Sequence, residues 1–512
     1  MSKDSEVEMK DVELNELDQE KQPMTGEAAA ENGDTISPTG TEKNGIVKVK
    51  IPEDEESKFT GLTKEELLQV AGTPGWVRTR WALLVLFWLG WLGMLAGAVA
   101  IIVQAPRCKP LPETNWWNLG PLYQVGDVAA FSENLGGLRA KLESLNQLKV
   151  KGLIVGPIHD AKADDPTSLD FVKIKAAAGT MEDFTNLIQT AHKNNIKVVL
   201  DLTPNYDGRQ PWFANTSITD VAEKLKPALV FWDSKGVDGV LLSGIDRVVK
   251  GIPSQWGDIK TIAQNDTEGK RRALFGVTGE TSVIDVSKLL NSSGVDLLLS
   301  GTLRAQKTGT DRAQVLQHLY SSHSQLALSW NLGDRSQGHL ASVLGSEHLR
   351  MNQMLLFTLP GTPVFNYGDE IGLEDQENKF PKMVWDSPTA EETNSSAKAD
   401  KDQREENRQF FKTLSDLRVK ERSLLYGDFQ LLHNSTDSLA YLRYWDQSPR
   451  FLAAFNWGAD SVNLNLTHPL LPSSAKVKVS TDPNMKADSE VKLTELNLGS
   501  SQAVLLEFPY VA

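Results

Sequence analysis

The sequence predicts one membrane-spanning helix, then a large α/β region closed as a (β/α)8 barrel, then a small C-terminal antiparallel β-sandwich. Three observations predict it. Residues 81–103, WALLVLFWLGWLGMLAGAVAIIV, run for 23 positions without a charge. Between about residue 150 and residue 368, strand-like apolar runs alternate with helix-like segments. From residue 426 onward, short strand-like runs follow one another roughly ten residues apart with no helix between them.

At 1.5 Å of rise per residue the apolar run makes roughly 35 Å of helix, enough to cross a hydrocarbon core of about 30 Å with some tilt. A core helix of a soluble protein keeps a polar stripe, and none is present here. A signal peptide begins within the first residues of a chain, whereas 80 residues precede this run. Gly90, Gly93 and Gly97 share one face of the span and contain a GxxxG step, which lets a second helix approach closely. Ahead of the span, residues 1–80 carry 18 acidic against 10 basic side chains, a net −8 out of the chain's −14. Residues 1–57 contain few aromatics and cannot bury enough apolar surface to offset the entropy of ordering, so this segment is expected to be disordered. Such an acidic tail argues against nucleic acid or anionic lipid as a partner. KEELLQVAG (64–72) reads as a short amphipathic helix or juxtamembrane spacer, stopped by Thr73-Pro74-Gly75.

Lys58, Lys64, Arg78 and Arg80 lie before the span, and Arg107 and Lys109 lie close after it, a bias that favours a cytoplasmic N terminus. Asn215, Asn265, Asn291, Asn394, Asn434 and Asn465 each open an N-glycosylation sequon, all of them after the span and none before it. The chain reads as a single-pass type II membrane protein whose C-terminal part is an ectodomain. Its one cysteine, Cys108, stands five residues beyond the apolar run on the side where disulfides persist. An odd cysteine there pairs between chains or stays a free thiol. So close to a bilayer it has few partners but another membrane protein, and an intermolecular disulfide is the reading taken.

GLIVGPI (152–158) is followed by a helix near 181–194, and IKVVLDL (196–202) by one near 219–233. Further apolar runs fall at 237–242, 273–277, 295–299 and 326–330, with TPVFNYG (362–368) last. Parallel strands need crossover helices, and so many repeats in about 300 residues suit a closed barrel better than an open sheet. The polar stretch 386–406 reads as a surface loop. GDFQLL, LAYLRYW, RFLAAFNW, SVNLNL, AKVKVS and AVLLEF supply the sandwich strands. The predicted divisions are a cytoplasmic tail (1–80), the span (81–103), a linker holding Cys108 (104–115), the barrel (116–425) and the sandwich (426–512).

GTMEDFTNLIQTAHKNNIKVVLDLTPNY (179–206) and LFTLPGTPVFNYGDEIGL (356–373) resemble the third- and eighth-strand units of the α-amylase family of glycoside hydrolases. LKVKGLIVGPI (148–158) and GVDGV (236–240) match as well. The resemblance implies a (β/α)8 barrel and a C-terminal β domain. It also shows what has changed. Retaining glycosidases need two carboxyl groups flanking the scissile bond. Ser243 stands where the family pattern has its nucleophilic Asp, Leu241 where it has an Arg, and Val277 where it has the acid/base Glu. Glu280 lies three residues further on. WNLGDRS puts Asp334, Arg335 and Ser336 in the places of an Asn-His-Asp motif, with Ser336 at its acid. Asp201 persists, while Tyr206 replaces a His. Only 29 residues separate Tyr206 from Gly236, too few for the inserted calcium-holding domain of active members. The resemblance therefore implies no catalytic residues, no cofactor and no metal.

A barrel without its acids, held outside the cell by one span beside one cysteine, resembles the heavy subunits of the heteromeric amino-acid transporters. TGLTKEELLQVAGTPGWVRTRWALLVLFWLGWLGMLAGA (60–98) is similar to the widely expressed cell-surface antigen branch of that family. The kidney and intestinal branch keeps the inserted domain and more cysteines, and fits less well. The resemblance implies a multi-span light subunit bonded at Cys108 and carried to the plasma membrane, with further contact through the glycine face and the barrel underside. One span cannot line a gated substrate path, so any transport runs through that partner. Two alternatives stand beside this reading: a membrane-anchored adhesion or signalling receptor linked with integrins, and a membrane-bound α-glucosidase.

Overall fold

The computed structural model describes residues 61–104, 108–267, 270–376, 379–385 and 395–510, in two compact units that divide after Ala105. In the first unit, helix α1 (Lys64–Ala71) is preceded by Thr63, whose backbone N–H and hydroxyl both donate to Glu66, at 3.0 and 2.9 Å. It ends at Gly72, and helix α2 spans Pro74–Gln104. The expected break at 73–75 is present, yet it is shorter than a spacer. Proline has no N–H to lose and a φ suited to a first helical turn, so Pro74 opens the second helix. Residues 74–80, assigned to the tail by the sequence, are thus helical. The apolar run 81–103 lies wholly inside α2, and every residue of α2 is exposed. The acidic segment 1–60 lies outside the described residues.

The second unit holds eight parallel strands: β1 (Leu122–Val125), β2 (Gly152–Val155), β3 (Lys197–Asp201), β4 (Gly239–Ser243), β5 (Ala273–Thr278), β6 (Leu297–Ser300), β7 (Ser329–Trp330) and β8 (Thr362–Asn366). Each pairs with its successor from β1 to β6, β7 pairs with β8, and β8 returns to β1. A parallel bridge between Leu298 and Leu328 closes β6 onto the start of β7. The barrel is therefore closed, as the sequence predicts. β1 has no counterpart among the apolar runs read from the sequence.

Alternate strand residues make two layers. Leu122, Ile154, Val199, Leu241, Phe275, Leu299 and Val364 point inward and fill the barrel. Trp117 closes the end where the strands begin, its ring edge-on to Phe275 at 6.1 Å. Gly152 is required there, since a Cβ would come within 2.6 Å of the Trp116 ring. The outward set (Val125, Leu153, Val155, Val198, Leu200 and Leu242) packs under the crossover helices. Two of these helices, Met181–Lys193 and Ile218–Ser234, lie where the periodicity predicts them. The first is capped by Thr180, whose hydroxyl accepts from the Asp183 N–H at 3.1 Å.

Beyond the barrel, β9 (Asp428–Asn434), β10 (Ser438–Tyr444), β11 (Arg450–Asn456), β12 (Val462–Leu464), β13 (Ser474–Ser480), β14 (Glu490–Lys492), β15 (Leu496–Leu498) and β16 (Gln502–Phe508) are antiparallel. Six form one sheet in the order β9-β10-β11-β16-β13-β14, and β12 pairs with β15 as a ribbon. Ala440, Leu442, Leu452, Ala454, Val504 and Leu506 share a core with Leu464, Leu496 and Leu498 of the ribbon. Leu439, Tyr441, Phe451, Ala453, Phe455 and Leu505, on the other face, join the core of the barrel unit. The expected surface loop at 386–406 needs correction. Residues 386–394 lie outside the described residues, but 395–406 begin a helix, Ser395–Lys420. Its N-terminal half, SSAKADKDQREENRQ, is polar on all sides yet free of glycine and proline, so propensity supports the helix that periodicity hides.

Two arginines join this helix and the C-terminal sheet to the barrel. Arg418 donates to the carbonyls of Phe357 (3.2 Å), Leu359 (2.8 Å) and Gly361. Arg443, from β10, donates to those of Thr358 (2.6 Å) and Gly427 (2.9 Å). Both are buried, and among the described residues neither has a carboxylate in ion-pair range. Removing a donor leaves buried carbonyls unsatisfied at about 1–3 kcal/mol each. Arg418→Met is expected to lower unfolding free energy by about 3 kcal/mol or more in urea titration. The exposed Arg209→Met serves as the control and should change it by less than about 0.5 kcal/mol.

Candidate functional site

The strand ends of the barrel bring Asp201, Ser243 and Val277 together. Asp201 ends β3, Ser243 ends β4, and Ser243 is in direct register with Val277 on β5. These positions would hold the acids of a glycosidase. Asp201 Oδ1 accepts from the backbone N–H and the hydroxyl of Thr203, at 2.9 and 2.5 Å, and the Thr203 hydroxyl in turn accepts the Ser243 N–H at 3.1 Å. Burial pushes the Asp201 carboxyl up to about 6, while the nearby Arg335 charge and the Thr203 bonds pull the other way. Among the described residues the Ser243 hydroxyl has neither a histidine nor a carboxylate within hydrogen-bond distance. Without a base it is not activated as a nucleophile. Val277 has no proton to give.

Glu280 does not fill the gap. It lies past the end of β5, its N–H donates to the Thr278 hydroxyl at 3.2 Å, and its carboxylate is drawn to Lys250 at 3.5 Å. Asp334 is occupied by its own turn. Its Oδ1 accepts the N–H groups of Ser336 (2.8 Å) and Gln337 (3.0 Å) and the Ser336 hydroxyl (2.6 Å). Ser336 sits exposed in that loop.

The position whose role the sequence did not reveal is Arg335. Its guanidinium donates to the Tyr206 carbonyl at 2.8 Å and to Asp207 at 3.0 Å, and lies over the rings of Tyr206 and Phe380, at 5.2 and 5.6 Å. Its stem presses on Gly126, where a Cβ would stand 2.9 Å from Arg335 Cγ. Tyr206 is fixed in turn, its hydroxyl donating to the His159 carbonyl at 2.9 Å. One side chain thus ties together the loops after β1, β3 and β7 across the barrel mouth. The signal in the sequence is a long cation, Arg335, in the place of the motif's His after β7, combined with Tyr206 in the place of a His after β3.

Cys108 is exposed and unpaired. Gly90, Gly93 and Gly97 lie on α2, and a Cβ added at any of them would meet no atom within 4 Å. Asn215, Asn265, Asn291, Asn434 and Asn465 are all exposed. Asn394 lies outside the described residues.

The model of the solute carrier family 3 member 2 N-terminus matches residues 47–123, and that of the alpha amylase catalytic domain matches residues 124–233. The chain is 44% identical to the amino acid transporter heavy chain SLC3A2 of Oryctolagus cuniculus, over 100% of both chains. It is 24% identical to the heavy chain SLC3A1 of Rattus norvegicus, over 91% of this chain and 89% of that one. Among solved structures, an Anoxybacillus α-amylase overlays with a TM-score of 0.61 at 16% identity, covering 78% of this chain and all of that one, which establishes likeness of fold alone. With so high an identity sustained from end to end, the chain belongs to the family of the amino acid transporter heavy chain SLC3A2.

Proposed function

We propose that this protein is a non-catalytic heavy subunit. It is anchored by α2 with its N terminus in the cytoplasm, disulfide-linked at Cys108 to a multi-span light subunit, and it brings that amino-acid transporter to the plasma membrane. The observation that carries the non-catalytic part is the registered pair Ser243–Val277 at the strand ends, where hydrolysis needs two carboxyl groups. Arg335 across the mouth supports the same reading. The names of the full-length relatives support the heavy-subunit role. The positions of the sequons, the basic residues before the span and the exposed thiol support the topology and the link. The glycine strip of α2 and the barrel underside supply the noncovalent contact.

Three outcomes are expected. On a non-reducing gel of native membranes the protein should run as a complex that falls on reduction by the mass of a multi-span subunit. Cys108→Ser should remove that shift while the partner still co-purifies, and complete loss of the partner would refute the packing contribution. The protein should not hydrolyse maltose, and measurable glucose release would overturn the non-catalytic reading.

Asp201 gives a further test through pH. Its folded pKa, about 6, lies above the ordinary value near 4. Between those values the folded chain holds a proton that the unfolded chain does not, so stability falls as pH rises through that window. The cost at pH 7 is about 3 kcal/mol. Asp201→Asn keeps an acceptor for Thr203 and should raise Tm at pH 7.5, with the gain shrinking toward pH 4.5. Partner assembly should be unchanged. A loss of Tm at pH 7.5 would show that the carboxylate is needed as a charge.

A further inference from the structure

Three contacts converge on Lys109, the residue after the thiol. Its backbone N–H donates to Asp446 Oδ2 at 3.0 Å, its ammonium pairs with Asp428 Oδ2 at 3.2 Å, and the same ammonium stands 4.5 Å from the centre of the Trp445 ring. Asp428 opens β9, and Trp445 and Asp446 make the turn between β10 and β11. That turn is itself fixed. The Trp445 N–H donates to the Ser423 hydroxyl at 3.0 Å, the Ser448 N–H to the Trp445 carbonyl at 2.8 Å, and Asp446 adopts a φ of 39°, in the left-handed region that aspartate tolerates.

A half-exposed ion pair alone positions little, because both side chains swing and salt screens them. The backbone bond is different, since it holds the main chain itself. Cys108 Cα lies one peptide from that anchor, about 3.8 Å away. A disulfide needs its two Cα atoms within about 7 Å. The partner cysteine must therefore come within about 11 Å of Lys109 Cα, at this corner of the C-terminal sheet.

We propose that Lys109 is a positioning residue for the interchain disulfide: docked on Asp428, Trp445 and Asp446, it holds Cys108 at one corner of the C-terminal sheet and so makes that corner the surface that meets the cysteine-bearing extracellular segment of the light subunit. This rests on the reading of Cys108 as the link. Closing the bond takes two protons and two electrons from the two thiols, and a donor disulfide accepts them as it is cleaved to two thiols.

The test uses the full chain co-expressed with a cysteine-bearing multi-span light subunit. Membranes are mildly reduced and then re-oxidised with oxidised glutathione, and the linked fraction is followed on non-reducing gels. Lys109→Ala should slow re-formation of the link at least about three-fold, as an anchored thiol loses effective concentration when its tether lengthens. Asp446→Gly, which removes the acceptor of the Lys109 N–H at a position whose φ of 39° glycine also adopts, should slow it at least as much. Lys109→Arg should restore most of the rate, because it keeps the cation, the ion pair and the ring contact. Noncovalent co-purification should not change in any of them, which separates positioning from a general loss of structure. If the linked band persists in Cys108→Ser, the reading of the cysteine fails and the proposal fails with it. If Cys108→Ser abolishes the band while Lys109→Ala and Asp446→Gly re-form it at the wild-type rate, the link stands and the positioning role is overturned.

Discussion

The structure of the larger unit depends on how one buried corner is satisfied: the carbonyls of residues 357–361, where the helix Leu349–Thr358 stops and the chain turns into β8. The last carbonyls of a helix have no partner within it and carry the negative end of its dipole. Here they face the interior. Arg418 and Arg443 converge on them from two directions, one from the long helix that precedes the C-terminal sheet and one from inside that sheet. Burial pushes both guanidinium groups down, Arg443 to about 10, which leaves that group charged near neutral pH. Carbonyl dipoles take the place of a counter-ion. The barrel and the C-terminal sheet are consequently joined by hydrogen bonds that neither could make alone, and the apolar face of Leu439, Tyr441 and Phe451 closes around them.

That arrangement explains which parts of the fold were legible in the sequence. Strands buried on both faces read as continuous apolar runs, and β2, β3, β4, β5, β6 and β8 are found within a few residues of those runs. β1 was not, because LYQV places a tyrosine and a glutamine in a four-residue strand. Its neighbours bury Gln124 and let the Tyr123 hydroxyl donate to Glu370 at 3.0 Å. The hairpin His159–Lys162 and Asp165–Ile174 also escaped notice. Its strands carry mixed polar residues on a half-exposed surface, so no alternation stands out. The helix at 395–406 was hidden for the opposite reason, having no apolar face to give a period. Arg418 itself carried no signal, since an arginine in a polar helix reads as solvated until tertiary packing encloses it.

At the candidate site, the sequence identified which acids were replaced but not the arginine that reaches across the barrel mouth. Ser243 and Val277 sit where spacing puts them. The arginine across the mouth follows from a loop conformation that no motif specifies. Arg335 lies with its stem against Gly126 and its head on Tyr206 and Asp207. The Lys109 contacts were equally invisible, because they join residues more than three hundred positions apart.

Several acids that remain near the strand ends are engaged by neighbouring protein groups. Asp334 caps the turn that carries Arg335. Asp369 accepts N–H groups from Leu340 and Asn366, both at 2.8 Å, and burial raises its carboxyl to about 8. Glu370 receives the Tyr123 hydroxyl and is pushed up by burial as well. A catalytic carboxyl needs an oxygen facing the reacting bond and a neighbour that sets its proton. Asp369 has both oxygens turned to main-chain donors, Asp334 has one on its own turn and the other on the Asn331 amide at 3.3 Å, and Asp201 has one oxygen held by Thr203. Their persistence follows from the geometry of the loops that close the barrel. It gives no ground for reading a weakened enzyme into the fold. The carboxyl groups that persist here are held by loop and strand-end contacts, and the positions of the missing acids hold Ser243, Val277 and Ser336.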